Sequence, residues 1–339
     1  MRKFIIALAL LLTVVFLILR FAEVQNIAHT FEDGDWRFLS LALIVEAVWI
    51  VDVGASYRAV FRIVGIRESL WHFTRLSSAT NFFNIVAPSG GIGGLMLFFA
   101  DARKNGYSIG RAAVAGALFL LFDYAGFLVV LAFGLAILFQ QNHLDWPEVV
   151  ASGFLFLVAC GLAGLLYLGT RSSMQLGDVL AWLAGAVNWV VRPFIHREYL
   201  SVGRAYNFAE EAADGVNALK LRPRGLIMPF VLALTNKALL ISVLFLVFLS
   251  FDIPFTIGTL IAGFSTGYLF LIVSPTPAGL GVVEGVMTLS LHTLGVDLDS
   301  AAVVVLAYRG FTFWGPFLVG MLTFREMTGH KKIDSVEIN

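Results

Sequence analysis

One cysteine, Cys160, stands among 339 residues, which excludes an intramolecular disulfide and any cysteine-cluster metal site. It lies in an apolar run and reads as a small buried or lipid-facing side chain. Charge is scarce too: 14% of the residues are Asp, Glu, Lys or Arg, roughly half of what a soluble domain uses to cover its surface. The formal net charge is zero, which argues against a nucleic-acid partner. The six histidines (His29, His72, His143, His196, His292 and His330) are scattered, and none belongs to a metal or acid–base cluster. No connection between apolar segments is long enough for a separate catalytic domain. The chain is therefore read as a non-enzyme, with no catalytic residues, no metal and no cofactor.

Apolar sequence is abundant, at 59% of the residues. Spans of about 20 apolar residues are expected at 4–20, 38–57, 112–139, 149–170, 226–250 and 300–324. The start, Met1-Arg2-Lys3 followed by Phe4 to Leu19, is similar to a signal peptide, but Arg20-Phe21-Ala22-Glu23 offers no small-x-small cleavage site, so an uncleaved first span is expected. The fold class is an all-α polytopic membrane protein, with residues 1–339 as a single integral membrane domain.

Two apolar segments are broken. Ile85-Val86-Ala87-Pro88-Ser89-Gly90-Gly91-Ile92-Gly93-Gly94 interrupts 76–100, and Ile272-Val273-Ser274-Pro275-Thr276-Pro277-Ala278-Gly279-Leu280-Gly281 interrupts 256–295. Irregular backbone at membrane depth survives only where protein buries it or a polar cavity borders it. Charge sets the sides. Basic connections carry Arg58, Arg62, Arg67 and Arg75, then Arg103, Lys104 and Arg111, then Arg171 to Arg224, then Arg325, Lys331 and Lys332. The others carry Glu32, Asp33 and Asp35, then Asp145 and Glu148, then Asp252, then Asp297 and Asp299. The positive-inside rule places the basic set and both termini in the cytoplasm. Segment 76–100 then enters and leaves from inside and 256–295 from outside, as two oppositely oriented re-entrant hairpins. The rival, one kinked span over 76–100, puts Arg103, Lys104 and Arg111 outside. Residues 171–225 form a cytoplasmic connection, in which the short apolar stretch Val179 to Val191, with Trp182 and Trp189 on one face, reads as an interfacial helix.

The two halves resemble each other. Ile85, Val86 and Pro88 match Ile272, Val273 and Pro275; after a skip at Pro277, Gly91 and Gly93 match Gly279 and Gly281; Tyr124-Ala125-Gly126-Phe127 matches Tyr308-Arg309-Gly310-Phe311. Repeat one (38–139) and repeat two (226–324) run span, hairpin, span in opposite senses, the inverted repeat common among secondary transporters. In the second hairpin, Gly263 and Gly267 on one arm and Gly281 and Gly285 on the other are spaced for close helix packing.

Ionisable groups at membrane depth are functional candidates. They are Glu46, Asp52, Asp123, Lys237, Glu284 and Arg309. Charges at equivalent positions of the repeats, Glu46 and Asp52 against Lys237 and Asp123 against Arg309, are placed to pair. Each hairpin's second arm starts at its break, so its free N–H groups point inward. Ser89, Gly90 and Gly91 present one such end, and Ala278, Gly279 and Gly281 the other. With Arg309 they read as an anion site near the midplane, while Glu284 compensates the empty site or carries a coupling proton. Ser77, Ser78, Thr80, Asn81 and Asn84 give the first hairpin a polar face suited to a head group.

Pro275 to Glu284, reading P-T-P-A-G-L-G-V-V-E, resembles the signature of the flippase-like integral membrane family that includes the membrane half of lysylphosphatidylglycerol synthases. The earlier P-S-G-G-I-G-G and the later Arg309 fit the same family. The resemblance spans residues 4 to 326 and implies movement of anionic or modified lipids between leaflets. Carried over by position, it marks Pro275, Gly279, Gly281, Glu284 and Arg309 as substrate-binding. The chain lacks the soluble aminoacyl transferase domain of the synthases, and Pro277 stands where glycine is usual. The expected function is translocation of an anionic phospholipid or a polyprenyl-phosphate-linked lipid across the plasma (inner) membrane of a prokaryote. The expected partners are membrane lipids and a separate lipid-modifying enzyme. The alternatives are a secondary transporter of small anionic solutes and a non-catalytic partner of a lipid-modifying synthase or glycosyltransferase.

Overall fold

A helix satisfies every backbone N–H and C=O within its own segment, which is why apolar runs without water take that form. A computed structural model describes residues 30–86, 92–191, 202–220, 223–274 and 276–333; every regular element among them is helical. The helices are α1 (Trp36–Ile63), α2 (Leu70–Val86), α3 (Ile92–Lys104), α4 (Ile109–Gln140), α5 (Trp146–Arg171), α6 (Ser173–Val191), α7 (Val202–Lys220), α8 (Ile227–Ser250), α9 (Ile257–Val273), α10 (Val282–Thr293), α11 (Leu298–Arg309) and α12 (Gly315–Ile333). A π-helical turn, Gly310–Trp314, joins the last two.

Five helical stretches are long and apolar enough to cross a membrane: Trp36–Ile63, Ile109–Gln140, Trp146–Arg171, Arg224–Ser250 and Leu298–Met327. They coincide with five of the six expected spans; residues 4–20 lie outside the described residues. Polar caps begin several helices. Asp35 accepts from Arg37 N, Ser108 from Arg111 N, Thr256 from Thr259 N and Asp297 from Ser300 N, each satisfying an orphan donor of a first turn.

Segment 76–100 is not one kinked rod. The chain reverses between α2 and α3, so that Asn84 meets Gly94 near the tip and His72 meets Asp101 at the base. The second broken segment reverses likewise: Gly263 faces Leu291 and Gly267 faces Met287. The glycines expected on the opposite arm do not serve this packing, since a Cβ at Gly281 or Gly285 meets nothing within 4 Å. Bulky α10 side chains fill the α9 glycine notches instead.

The first arm of each helix pair packs on a helix distant in sequence. Arm α2 packs on α12, arm α9 packs on α4, and α1 lies along α8. Gly134 of α4 meets Ser265 of α9, and Gly320 of α12 meets Ser78 of α2. Two apolar cores result. One gathers Phe127, Phe248, Phe264, Leu269, Met287 and Leu291, the other Phe61, Phe73, Leu76, Phe98, Ala115 and Val216. Helix α4 contributes its second half to the first core and its first half to the second, and Asp123 falls between them.

The long connection holds two helices. Helix α6 covers the apolar stretch expected at Val179 to Val191, with Trp182 and Trp189 exposed. Helix α7, absent from the sequence reading, buries Ala209, Ala212, Val216 and Leu219 against α4 and α5. Its Glu211 accepts from Ser108 Oγ at 2.6 Å and Gly110 N at 3.0 Å, and these bonds hold its carboxyl below the usual carboxylate range.

Candidate functional site

Between the two cores lies a cavity of about 300 Å³. Helix α2 supplies Ser77, Ser78, Thr80, Asn81 and Asn84 to its wall, the whole polar face read from the sequence. Asp123 from α4, Asn236 from α8, Tyr268 from α9, Tyr308 and Arg309 from α11 and Thr312 of the π turn add to the polar lining, with Trp49 and Tyr57 from α1. The indole N–H of Trp49 is buried without a hydrogen-bond partner. Arm α2 also touches the Pro277–Gly279 turn, so the first helix pair reaches the break of the second.

Two ion pairs flank the cavity. Lys237, fully buried, donates to Asp123 Oδ1 at 2.6 Å, to Tyr268 Oη at 2.5 Å and to Asn236 Oδ1 at 3.2 Å. Asn236 donates in turn to Asp52 Oδ2 at 3.4 Å, which links that carboxylate to the lysine. A buried ammonium is tolerated when all three of its donors are satisfied and a counter-charge is present. The second pair joins Arg309 Nε to Glu284 Oε1 at 2.7 Å, while Arg309 Nη2 donates to the Ala278 carbonyl at 2.9 Å. Ala278 has φ +52°, a left-handed conformation that costs a non-glycine residue about 1 kcal/mol or more. Arg309 thus fixes a strained turn and its neighbouring carboxylate together.

These pairs differ from the expected ones. Asp123 takes Lys237 and Arg309 takes Glu284, so neither charged residue beside the matched tyrosines pairs with the other. Glu46 is 2% exposed, and neither carboxyl oxygen has a partner. The last span is interrupted directly after Arg309. Pro316 has no N–H for the carbonyl of Thr312, and its ring crowds that carbonyl, so the ladder widens into a π turn.

The family profile described as "Lysylphosphatidylglycerol synthase TM region" matches residues 4–320. The chain belongs to this family. It is also similar to a UPF0104 membrane protein of Methanothermobacter thermautotrophicus, 20% identical over 332 residues that cover 95% of this chain and 92% of that protein. It is a multi-pass integral membrane protein.

Of the positions in this lysylphosphatidylglycerol synthase TM region chain that its sequence marks for substrate, Ser89, Gly90, Gly91 and Pro275 lie outside the described residues. Gly279 and Gly281 take φ +71° and +74° and shape the turn before α10, and Gly279 N–H bonds to Thr276 O at 3.0 Å. Arg309 lines the cavity and Glu284 sits against it. Sequence reasoning missed Tyr268, Asn236, Trp49 and the carbonyl of Ala278. The adjacent polar pair Asn236-Lys237 inside an apolar helix was a usable signal. Tyr268 gave none, because tyrosine is common in apolar arms.

Proposed function

We propose that the chain is a lipid translocase that passes the phosphate-bearing head group of a phospholipid or polyprenyl-linked lipid through the central cavity of a prokaryotic plasma membrane. Arg309 carries this reading: it is a buried guanidinium on the wall of the cavity, already holding a carboxylate that a phosphate can displace. A guanidinium binds either anion with the same forked donors. The unpartnered Trp49 N–H and the amides of Asn81 and Asn84 add donors for an oxygen-rich head group. The cavity, about 300 Å³, is at the small end of ligand sites. It suits a head group whose acyl chains stay in the bilayer. Glu284 holds Arg309 when the site is empty and yields to the cargo.

On this reading the two antiparallel helix pairs are re-entrant hairpins from opposite faces, and the halves 38–139 and 226–324 form an inverted repeat. The packing of α2 on α12 and of α9 on α4 supports it, as does the recurrence of a Gly–Ser contact at both places. The chain moves its cargo without making or breaking a covalent bond, and the partner class it implies is an enzyme that modifies the same lipid.

The test is reconstitution into phosphatidylglycerol liposomes holding a head-group-accessible fluorescent lipid. Translocase activity predicts faster loss of inner-leaflet protection than in protein-free vesicles, and little acceleration with Glu284→Gln or Arg309→Ala. Equal rates with and without protein for both phospholipid and polyprenyl-phosphate probes would remove the reading.

A further inference from the structure

Among the described residues, four carboxylates, Glu46, Asp52, Asp123 and Glu284, sit within the helix bundle, and three of them have partners. Asp52 accepts from Asn236, Asp123 from Lys237 and Tyr268, and Glu284 from Arg309. Glu46 is the exception, with both oxygens buried and unbonded. It lies near the middle of α1, a helical turn before Trp49 and Ile50, which line the cavity. Its side chain rests against the last span beside the π turn, since a Cβ at Gly315 would stand 3.8 Å from Glu46 Cγ. The titratable group facing it across that contact is Tyr308. From the other elements packed on α1, Lys237 of α8 and Asp123 of α4 hold each other, while His72 and Arg75 of α2 hold Asp101 and Glu326; Arg309 of α11 holds Glu284.

An ionised carboxylate buried in such a place without a paired charge is among the costliest groups a membrane protein can hold. Something must neutralise it. A metal ion needs several oxygen ligands, and no group of three or more His, Cys, Asp or Glu side chains able to hold one is present among the described residues. A proton needs only the carboxyl itself. We propose that Glu46 is a proton-binding site whose occupancy is coupled to passage of the charged head group through the adjacent cavity, an inference that rests on the translocase reading. Protonated, Glu46 lets α1 seal against the π turn. Ionised, it requires that contact to open toward the cavity one turn away, where water enters. The two protonation states therefore favour two packings of one joint. A proton taken from water on one side and released on the other accompanies each cycle.

Two measurements test this. The first does not depend on transport. The acid-minus-alkaline infrared difference spectrum of the protein in nanodiscs is expected to hold a protonated-carboxyl C=O band that vanishes in Glu46→Gln and persists, shifted, in Glu46→Asp. A spectrum unchanged in a Glu46→Gln protein that elutes and melts like wild type overturns the site. The second is lipid movement in proteoliposomes under an imposed pH gradient. The gradient is expected to change the wild-type rate by roughly tenfold and the Glu46→Gln rate by less than about twofold. An undiminished response in Glu46→Gln overturns the coupling. Wild-type protein that gives the band but moves no lipid supports the proton site and removes the translocase reading.

Discussion

The helix pairs α2/α3 and α9/α10 have the same antiparallel shape and are held by different chemistry. In the first, side chains do the joining: Asn84 Oδ1 accepts from Gly94 N at 2.7 Å near the tip, and His72 bonds Asp101 at 2.9 Å at the base. In the second, backbones approach through glycines. Leu291 and Met287 sit in the notches at Gly263 and Gly267, and the turn is held from outside by Arg309. Polar glue leaves the α2 face free to line the cavity with hydroxyls and amides. Apolar glue leaves the second pair, among the described residues, with Ser274 and Thr276 as its own polar tie near the break, and a distant helix supplies the lock. Both pairs wall the site: the first brings the polar face, and the second brings the turn on which Arg309 acts as a latch.

The largest effect that can break this contrast is removal of the latch. Arg309→Ala frees Ala278 and leaves the half-buried Glu284 without its cation, a change that costs about 3 kcal/mol or less because that carboxylate keeps some exposure. Thermal unfolding in detergent should show a marked drop, and lipid movement should fall by about two orders of magnitude. The paired replacement Arg309→Met with Glu284→Leu should regain stability and not transport. Recovery of transport in that double variant would reduce the pair to packing.

The next effect compares glycine contacts. At Gly320 a methyl group would overlap the backbone carbonyl oxygen of Ser78 and crowd Phe82 Cβ. At Gly263 it would meet only the end of the Leu291 side chain, which can turn aside. Gly320→Ala should therefore destabilise by about 1–3 kcal/mol, and Gly263→Ala by less than about 1 kcal/mol. Thermal shifts in the reverse order would mean that the α2–α12 seam is softer than the second pair's own joint.

Much of this was legible in the chain. Apolar length marked five spans, and proline with glycine clusters marked both reversals, because neither residue pattern continues a helix. The polar face Ser77 to Asn84 was readable because five small polar side chains recur in one apolar arm. What stayed hidden depends on tertiary approach. Which carboxylate meets which cation follows from helix packing, and sequence distance between Lys237 and Asp123 says nothing about it. The π turn was masked because Gly315-Pro316 resembles an ordinary membrane kink. Helix α7 was overlooked because alanine, not leucine, forms its buried stripe.

A smaller effect sharpens the tip of the first pair. Asn84 occupies a donor that the first turn of α3 would otherwise leave orphaned, so Asn84→Ala should cost about 1 kcal/mol. Hydrogen exchange at the Gly94 amide should speed up while that of α9 stays unchanged. Uniform acceleration in both pairs would show that the two are a single cooperative unit.

The smallest effect lies at the base of the same pair. The Asp101 carboxylate bonded to His72 raises the imidazole above its ordinary value of 6.5. The folded protein therefore holds that proton more tightly than the unfolded chain does. The stabilisation is fully present below pH 6.5 and is lost as pH rises through the folded value. Both groups are partly exposed, so the gain is about 1 kcal/mol or less. Melting temperature should fall as pH rises across that window in wild type, and the fall should shrink in Asp101→Asn. The second pair has no such joint at its base, because His292 of α10 bonds the Val296 carbonyl rather than a carboxylate. A fall that Asp101→Asn left undiminished would reverse the assignment of polar glue to the first pair.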